Sequence, residues 1–132
     1  MKTGVLDAFA IMAFLEGERG ADDVRDWIQN AEKGDVKLFC STVNLGEVWY
    51  SLAREYSPEA ADRYVTEIRG MAIEIVPADW ELTYQAALFK SQGRLAYGDC
   101  FAAALAKIKG AELITGDKEF ISIEKQISIK WI

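Results

Sequence analysis

Four carboxylates in this chain sit where ordinary surface acids do not. Asp99 stands at the mouth of "AYGDCFAAALA" (96–106), which is apolar from Cys100 to Ala106. A buried carboxylate is costly unless it is paired, hydrogen-bonded or bound to a cation. Asp7 closes the short apolar run "TGVLD", and Asp117 follows another in "LITGDKEF". Glu47, in "NLGEVWYSL", lies inside a helical stretch, and its neighbours at helical spacing (Val43, Asn44, Tyr50 and Ser51) include no base. Read one at a time, Asp7, Asp99 and Asp117 are equally helix caps or turn formers. Glu47 is equally a solvated residue beside the apolar stripe of Leu45, Val48, Trp49, Leu52 and Ala53. The chain contains no histidine. That removes the commonest general base, the Ser–His and Cys–His nucleophile pairs and most zinc and transition-metal ligand sets. Chemistry here must rest on carboxylates, lysine, tyrosine or a metal.

The elements that would position these acids follow from hydropathy and punctuation. "TGVLD", "KLFCS", "AIEIV", "ELIT" and the terminal "ISIKWI" read as five short strands. Between them lie helical segments. "AFAIMAFLEGER" is followed by "GADDVRDWIQNAEKG", with Asp22 and Asp23 in its first turn and Gly34 near its end. "TVNLGEVWYSLAREY" is capped by Ser41 or Thr42, and Pro58 opens "PEAADRYVTEIRGM". Asp79 caps "ADWELTYQAALFKSQ", and "DCFAAALAKIK" runs from Asp99 to the stop at Gly110. Strands alternating with helices predict an α/β fold with a mainly parallel sheet. Ligands of such sheets bind beyond the carboxyl ends of the strands, where Asp7 and Asp117 fall.

Composition bounds the possibilities. A chain of 132 residues suits one domain and needs no disulfide staples. No apolar run approaches the ~18 residues of a membrane span. The N-terminal segment is a poor signal peptide, interrupted by Asp7 and lacking a small-residue cleavage site, so the chain is expected in the cytosol. Cys40 and Cys100 are too few and too far apart for a zinc motif, and read as buried thiols. A formal net charge of −6 excludes coating of nucleic acid by bulk electrostatics, though not a nuclease with its bases at a rim. Glu16, Glu18, Asp22, Asp23, Asp26, Glu55, Glu59, Asp62 and Glu67 lie in mixed-charge helical surroundings and read as a solvated face.

Taken together, "VLDAFAIMAFL", "STVNLGEVWY", "LAYGDCFAAALA" and "LITGDKEF" resemble the PIN domain, and within it the small VapC-like ribonuclease toxins of toxin–antitoxin pairs. The likeness spans the whole chain. Its most specific parts are Asp99 before an alanine-rich helix, and a strand ending in Thr115-Gly116-Asp117 with Phe120 three residues on. The resemblance implies a three-layer α/β/α sandwich with a mainly parallel sheet of about five strands, over residues 1–132. It implies that Asp7, Glu47, Asp99 and Asp117 bind Mg²⁺ or Mn²⁺ and cleave RNA to products with 5′-phosphate and 3′-hydroxyl ends. It further implies that the Thr115 hydroxyl supports the cluster, that a cognate antitoxin covers the pocket, and that the chain is a homodimer. Ala8 departs from the pattern, since the family often carries Ser or Thr there, and a supporting hydrogen bond is expected to be missing. Glu119 falls where some relatives carry a further acid and is a candidate outer ligand.

The implied chemistry suits these residue types. Hard divalent cations take oxygen ligands and keep several waters, so a few carboxylates suffice. Two carboxylates about 4 Å apart repel by roughly 4 kcal/mol at an effective dielectric of 20, so a cluster of four is strained without a cation. Lys118, Arg94 and Arg54 are candidate rim bases for sequence-independent phosphate contacts. Two other acidic-site folds fit less well. A haloacid-dehalogenase-type phosphatase needs a second Asp where Phe9 stands, and a response-regulator receiver needs an acid pair before the first helix. The alternative from a different class is a catalytically inactive PIN-like interaction module, for which Trp27, Trp49, Trp80, Trp131 and "AIMAFL" supply apolar surface.

Overall fold

Alternation along the central strands decides the layering. In β1 (Lys2–Leu6), Val5 packs into one apolar cluster and Leu6 into another. In β4 (Glu112–Thr115), Leu113 and Ile114 divide the same way, as do Phe39 and its neighbours Leu38 and Cys40 in β2 (Val36–Ser41). Successive strand side chains point to opposite faces, so a sheet apolar on both must be covered on both. The computed structural model, which describes residues 1–132, shows this arrangement.

The five strands, completed by β3 (Glu74–Val76) and β5 (Ile129–Trp131), are all parallel in the order β3-β2-β1-β4-β5. One face is covered by α1 (Ala8–Glu16), α2 (Ala21–Glu32), α3 (Thr42–Glu55) and α4 (Pro58–Arg69). The other carries α5 (Trp80–Ser91), α6 (Tyr97–Lys109) and a 3₁₀ helix over Lys118–Ile123. The expected α/β/α sandwich with a parallel sheet is the observed one. No helix is long and apolar enough to cross a membrane.

Strand order reverses at β1. From it the chain steps outward to β2 and β3, then returns to lay β4 against its other side and β5 beyond. The crevice at the carboxyl ends of β1 and β4 is therefore the topological switch point, where neighbouring loops diverge and leave room for a ligand. Asp7 follows β1 and Asp117 lies two residues past β4.

Local chemistry explains most boundaries. Ser41 caps α3, its hydroxyl accepting the Asn44 N–H, so of the two expected caps the serine is used. Ser57 and Asp79 cap α4 and α5 in the same way, with Pro58 in the first helical turn. Each such cap contributes on the order of 1 kcal/mol. Strand β3 keeps only three residues of the expected "AIEIV". Two readings need correction. The last long helix begins at Tyr97, not Asp99, with Ala96 at the cap position and no side-chain cap. Glu16 is not merely solvated: a carboxyl–carboxyl contact with Glu55, with burial second, pushes it up to about 7. Both cysteines are free and buried.

Candidate active site

Asp7 is both a cap and a pocket residue. As N-cap of α1 its Oδ1 accepts the Ala10 N–H at 2.8 Å. Its Oδ2 accepts the Thr115 hydroxyl at 2.5 Å, across 108 residues of sequence. The side chain is 2% exposed. Burial is the largest influence on its acidity and raises it. The Thr115 and Ala10 hydrogen bonds lower it, and the charges of Asp99 and Asp117 raise it again. The carboxyl ends at about 7. Burial outweighs two good hydrogen bonds because neither donor carries a full charge.

Thr115 ties two segments together. While its hydroxyl donates to Asp7, its oxygen accepts the Asp117 N–H at 3.0 Å. Asp117 then caps the 3₁₀ helix, accepting the Glu119 N–H at 3.0 Å. The cap or turn role open to Asp117 in the sequence is thus the observed one, and it sets the direction of the side chain. The hydroxyl support expected of Thr115 is present. With Thr115 and Ala10 both donating to Asp7, the alanine at position 8 leaves neither oxygen of Asp7 without a partner.

Asp99 sits half-buried in the first turn of α6, where the helix dipole favours an acid. From Cys100 to Ala106 every residue of this helix is buried, so the segment is a rigid post inside the core. Burial first, then the charges of Asp117, Glu47 and Glu119, push the Asp99 carboxyl up to about 6. The four expected acids thus lie close enough for their charges to act on one another, Asp99 feeling Asp117, Glu47 and the exposed Glu119, and Asp7 feeling Asp99 and Asp117.

Glu47 is held by a residue that sequence reasoning passed over. Asn44 is fully buried, and its side-chain amide donates to Glu47 Oε1 at 2.7 Å and to the Gly98 carbonyl at 3.0 Å. Its own oxygen accepts the Ser41 hydroxyl at 2.8 Å. A satisfied buried amide of this kind fixes one geometry, because an alternative leaves polar groups unpaired. Its signal is an amide three residues before Glu47 on a helix and three residues after the serine cap. Gly98 completes the arrangement. A Cβ there would fall 2.6 Å from Glu47 Cδ, so the glycine is the space in which the glutamate carboxylate lies.

The candidate bases divide. Lys118 is exposed beside Asp117, and Arg94 is exposed in the turn before α6. Arg54 lies seven residues, or about 10 Å, further along α3 than Glu47, with its guanidinium 4.9 Å from the Tyr50 ring.

An all-oxygen donor set fits a hard divalent cation, whose charge would offset the burial and the neighbouring carboxylates that raise Asp7 and Asp99. The acids do not form a closed cage: no three of them gather tightly enough to grip an ion by themselves. That matches an ion retaining several waters, as Mg²⁺ does.

The PIN-domain family model matches residues 4–126. The chain therefore belongs to the PIN-domain family. Among solved structures, VapBC2 from Rickettsia felis bound to a promoter DNA fragment aligns with a TM-score of 0.74 at 16% identity, covering 98% of each chain. DNA-bound VapBC from Salmonella typhimurium gives the same TM-score and identity, again over 98% of each chain. VapC20 from Mycobacterium tuberculosis, a sarcin–ricin loop cleaving toxin, aligns with a TM-score of 0.69 at 17% identity, covering 92% of this chain and 94% of that one. At such identities these likenesses show a shared fold. No curated protein sequence matches the chain significantly.

Proposed function

We propose that this chain is a Mg²⁺- or Mn²⁺-dependent endoribonuclease, one domain over residues 1–132, acting as the toxin of a toxin–antitoxin pair. What carries the reading is the convergence of Asp7, Asp99 and Asp117, from three distant segments, at the switch point of a parallel sheet, with the carboxyls of Asp7 and Asp99 pushed above the usual carboxylate range. Asp7, Asp99 and Asp117 would hold the ion, directly or through water. When bound, it supplies positive charge to the phosphate and acidifies water. Glu47, fixed by Asn44, orients the attacking water and accepts its proton, or completes a second ion site. Thr115 keeps Asp7 aimed into the pocket. The sarcin–ricin activity of VapC20 supports RNA as substrate, and the VapBC assemblies support an antitoxin partner. A homodimer in the cytoplasm completes the proposal.

The open arrangement of the acids is compatible with both a hydrated ion site and the competing reading, a silent interaction module. Cleavage mapping on total RNA separates the two. Stringently purified wild type with Mn²⁺ is expected to cut at discrete sites, leaving 5′-phosphates, and Asp7→Ala is expected to cut none. Failure of wild type to cut any RNA favours the module.

Gly98→Ala gives a sharper check on Glu47. Alanine is compatible with the helical backbone at this position, so α6 itself is expected to form. Yet its methyl group occupies the space of the Glu47 carboxylate and must displace it. Cleavage is expected to fall on the order of 10–100-fold in protein that a circular-dichroism spectrum shows to be folded, since small misplacements of a positioned group are that costly. Unchanged cleavage would remove Glu47 from the mechanism.

A further inference from the structure

We propose that the groove between Phe9 and Trp131 is a stacking subsite for a base of single-stranded RNA, one step along the strand from the phosphate held at the acidic pocket. The proposal rests on the ribonuclease reading above and adds where the strand runs.

The groove, of about 440 Å³, is lined by Phe9, Ile121 and Trp131 with Arg19 and Lys118 beside them. It adjoins the pocket through the backbone. Phe9 lies two residues after Asp7, in the first turn of α1, and Gly116 lies between Thr115 and Asp117. A Cβ on Gly116 would meet Phe9 Cζ at 2.8 Å, so the ring lies flush against the segment that carries Asp117. Trp131 is the register partner of Thr115 across β4 and β5, at the same carboxyl edge of the sheet as the acids.

These side chains do not read as core. Phe9 is 44% exposed, Trp131 39% and Ile121 54%. Large apolar groups left together in water mark a contact surface. Their charge environment narrows the occupant. The chain carries a net charge of −6, yet no acid lines this groove. Neither of its cations is spent on an ion pair, the two in the molecule being Lys2–Glu112 and Arg25–Asp22. Aromatic faces flanked by free cations match a nucleotide, with the base on a ring and phosphates on Arg19 and Lys118. No amide, hydroxyl or carboxylate side chain lines the groove, so stacking and charge dominate what it offers a nucleotide. Stacking of this kind is tolerant of sequence.

Binding of a short fluorescein-labelled single-stranded RNA, followed by anisotropy in EDTA at low salt, tests the assignment. Phe9→Leu and Trp131→Leu keep apolar bulk and remove a ring, and each is expected to weaken binding roughly tenfold, the scale of one lost base stack. Phe9→Tyr and Trp131→Phe are expected to stay within about threefold of wild type because a ring remains. Arg19→Ala with Lys118→Ala should weaken binding and flatten its salt dependence, as lost phosphate contacts do. Circular-dichroism melts identify any variant that fails to fold. As a measurement needing no destabilising change, RNA should quench tryptophan emission of wild type and not of Trp131→Phe. Leucine variants that fold and bind like wild type overturn the assignment, including the case in which the groove seats a protein instead. Parallel cleavage assays with Mn²⁺ keep the two claims apart. If wild type cuts RNA but the leucine variants bind as it does, the groove alone is wrong. If wild type binds through the rings and never cuts, the nuclease reading fails and the groove stands.

Discussion

Stripped of divalent cations, the protein is expected to become less stable as the pH rises from about 4 to about 7, the reverse of ordinary acid denaturation. Asp7 titrates at 3.8 in its unperturbed state and at about 7 in the fold, chiefly because it is buried. A folded-state value above the unfolded one means that the native protein binds the proton more tightly. The contribution is therefore fully present below the unfolded value and is lost as the pH passes through the folded one. For Asp7 it is on the order of 4 kcal/mol, a large share of the stability of a domain this size. Asp99, raised in the same direction to about 6, adds to the trend, less so because it is only half-buried. Glu16 shifts the same way far from the pocket, so the comparison belongs in a Glu16→Gln background. Thermal melts in EDTA should give a higher melting temperature near pH 5 than near pH 7.5, and the stabilisation by added Mg²⁺ should grow over the same interval, since the ion needs the deprotonated carboxylates. A flat profile in EDTA would mean that the pocket is hydrated enough to leave its acids unperturbed.

Asp99→Asn is expected to separate activity from stability. The amide keeps the shape of the side chain and removes its charge. In EDTA the variant should melt at or above the temperature of wild type near pH 7.5, because the repulsion that Asp117, Glu47 and Glu119 exert on Asp99 is gone. RNA cleavage with Mn²⁺ should fall on the order of 10²–10³-fold, the loss typical when one preorganised electrostatic group is removed from a reacting centre. The protein would thus carry a cost in its metal-free fold that only function explains. Equal cleavage by the two proteins would move the chemistry away from α6. A large fall in melting temperature would mean that Asp99 is a structural residue.

The sequence and the structure agree best where a signal is local or periodic. The strands of Val5–Leu6 and Leu113–Ile114 were readable because short apolar runs bounded by Asp and Gly have few alternatives. Asp7 and Asp117 fell at strand ends, where a parallel sheet must bind its ligands. What could not be read depends on contacts between distant segments. The Thr115–Asp7 hydrogen bond joins the two strands either side of the switch point. The Asn44 amide binds Gly98 across 54 residues, a contact that its local signal, the spacing to Ser41 and Glu47, does not reveal. The start of α6 at Tyr97 was missed because Asp99 has the composition of a cap, whereas Asn44 holds the Gly98 carbonyl and the turn before it is already helical. Of the three aspartates that could cap, Asp7 and Asp117 do so and Asp99 does not. Glu16 and Glu55 were read as solvated because their approach joins α1 to the far end of α3, a geometry no helical periodicity encodes.

The central claim is that these carboxylates form a divalent-cation site, and calorimetric titration of Mn²⁺ into wild type and Asp99→Asn near pH 7.5 tests it most directly. Saturable binding to wild type, weakened at least tenfold in Asp99→Asn, is the predicted result, a tenfold change being about 1.4 kcal/mol of coordination lost. No binding to wild type up to millimolar Mn²⁺, or equal binding to both proteins, would contradict it.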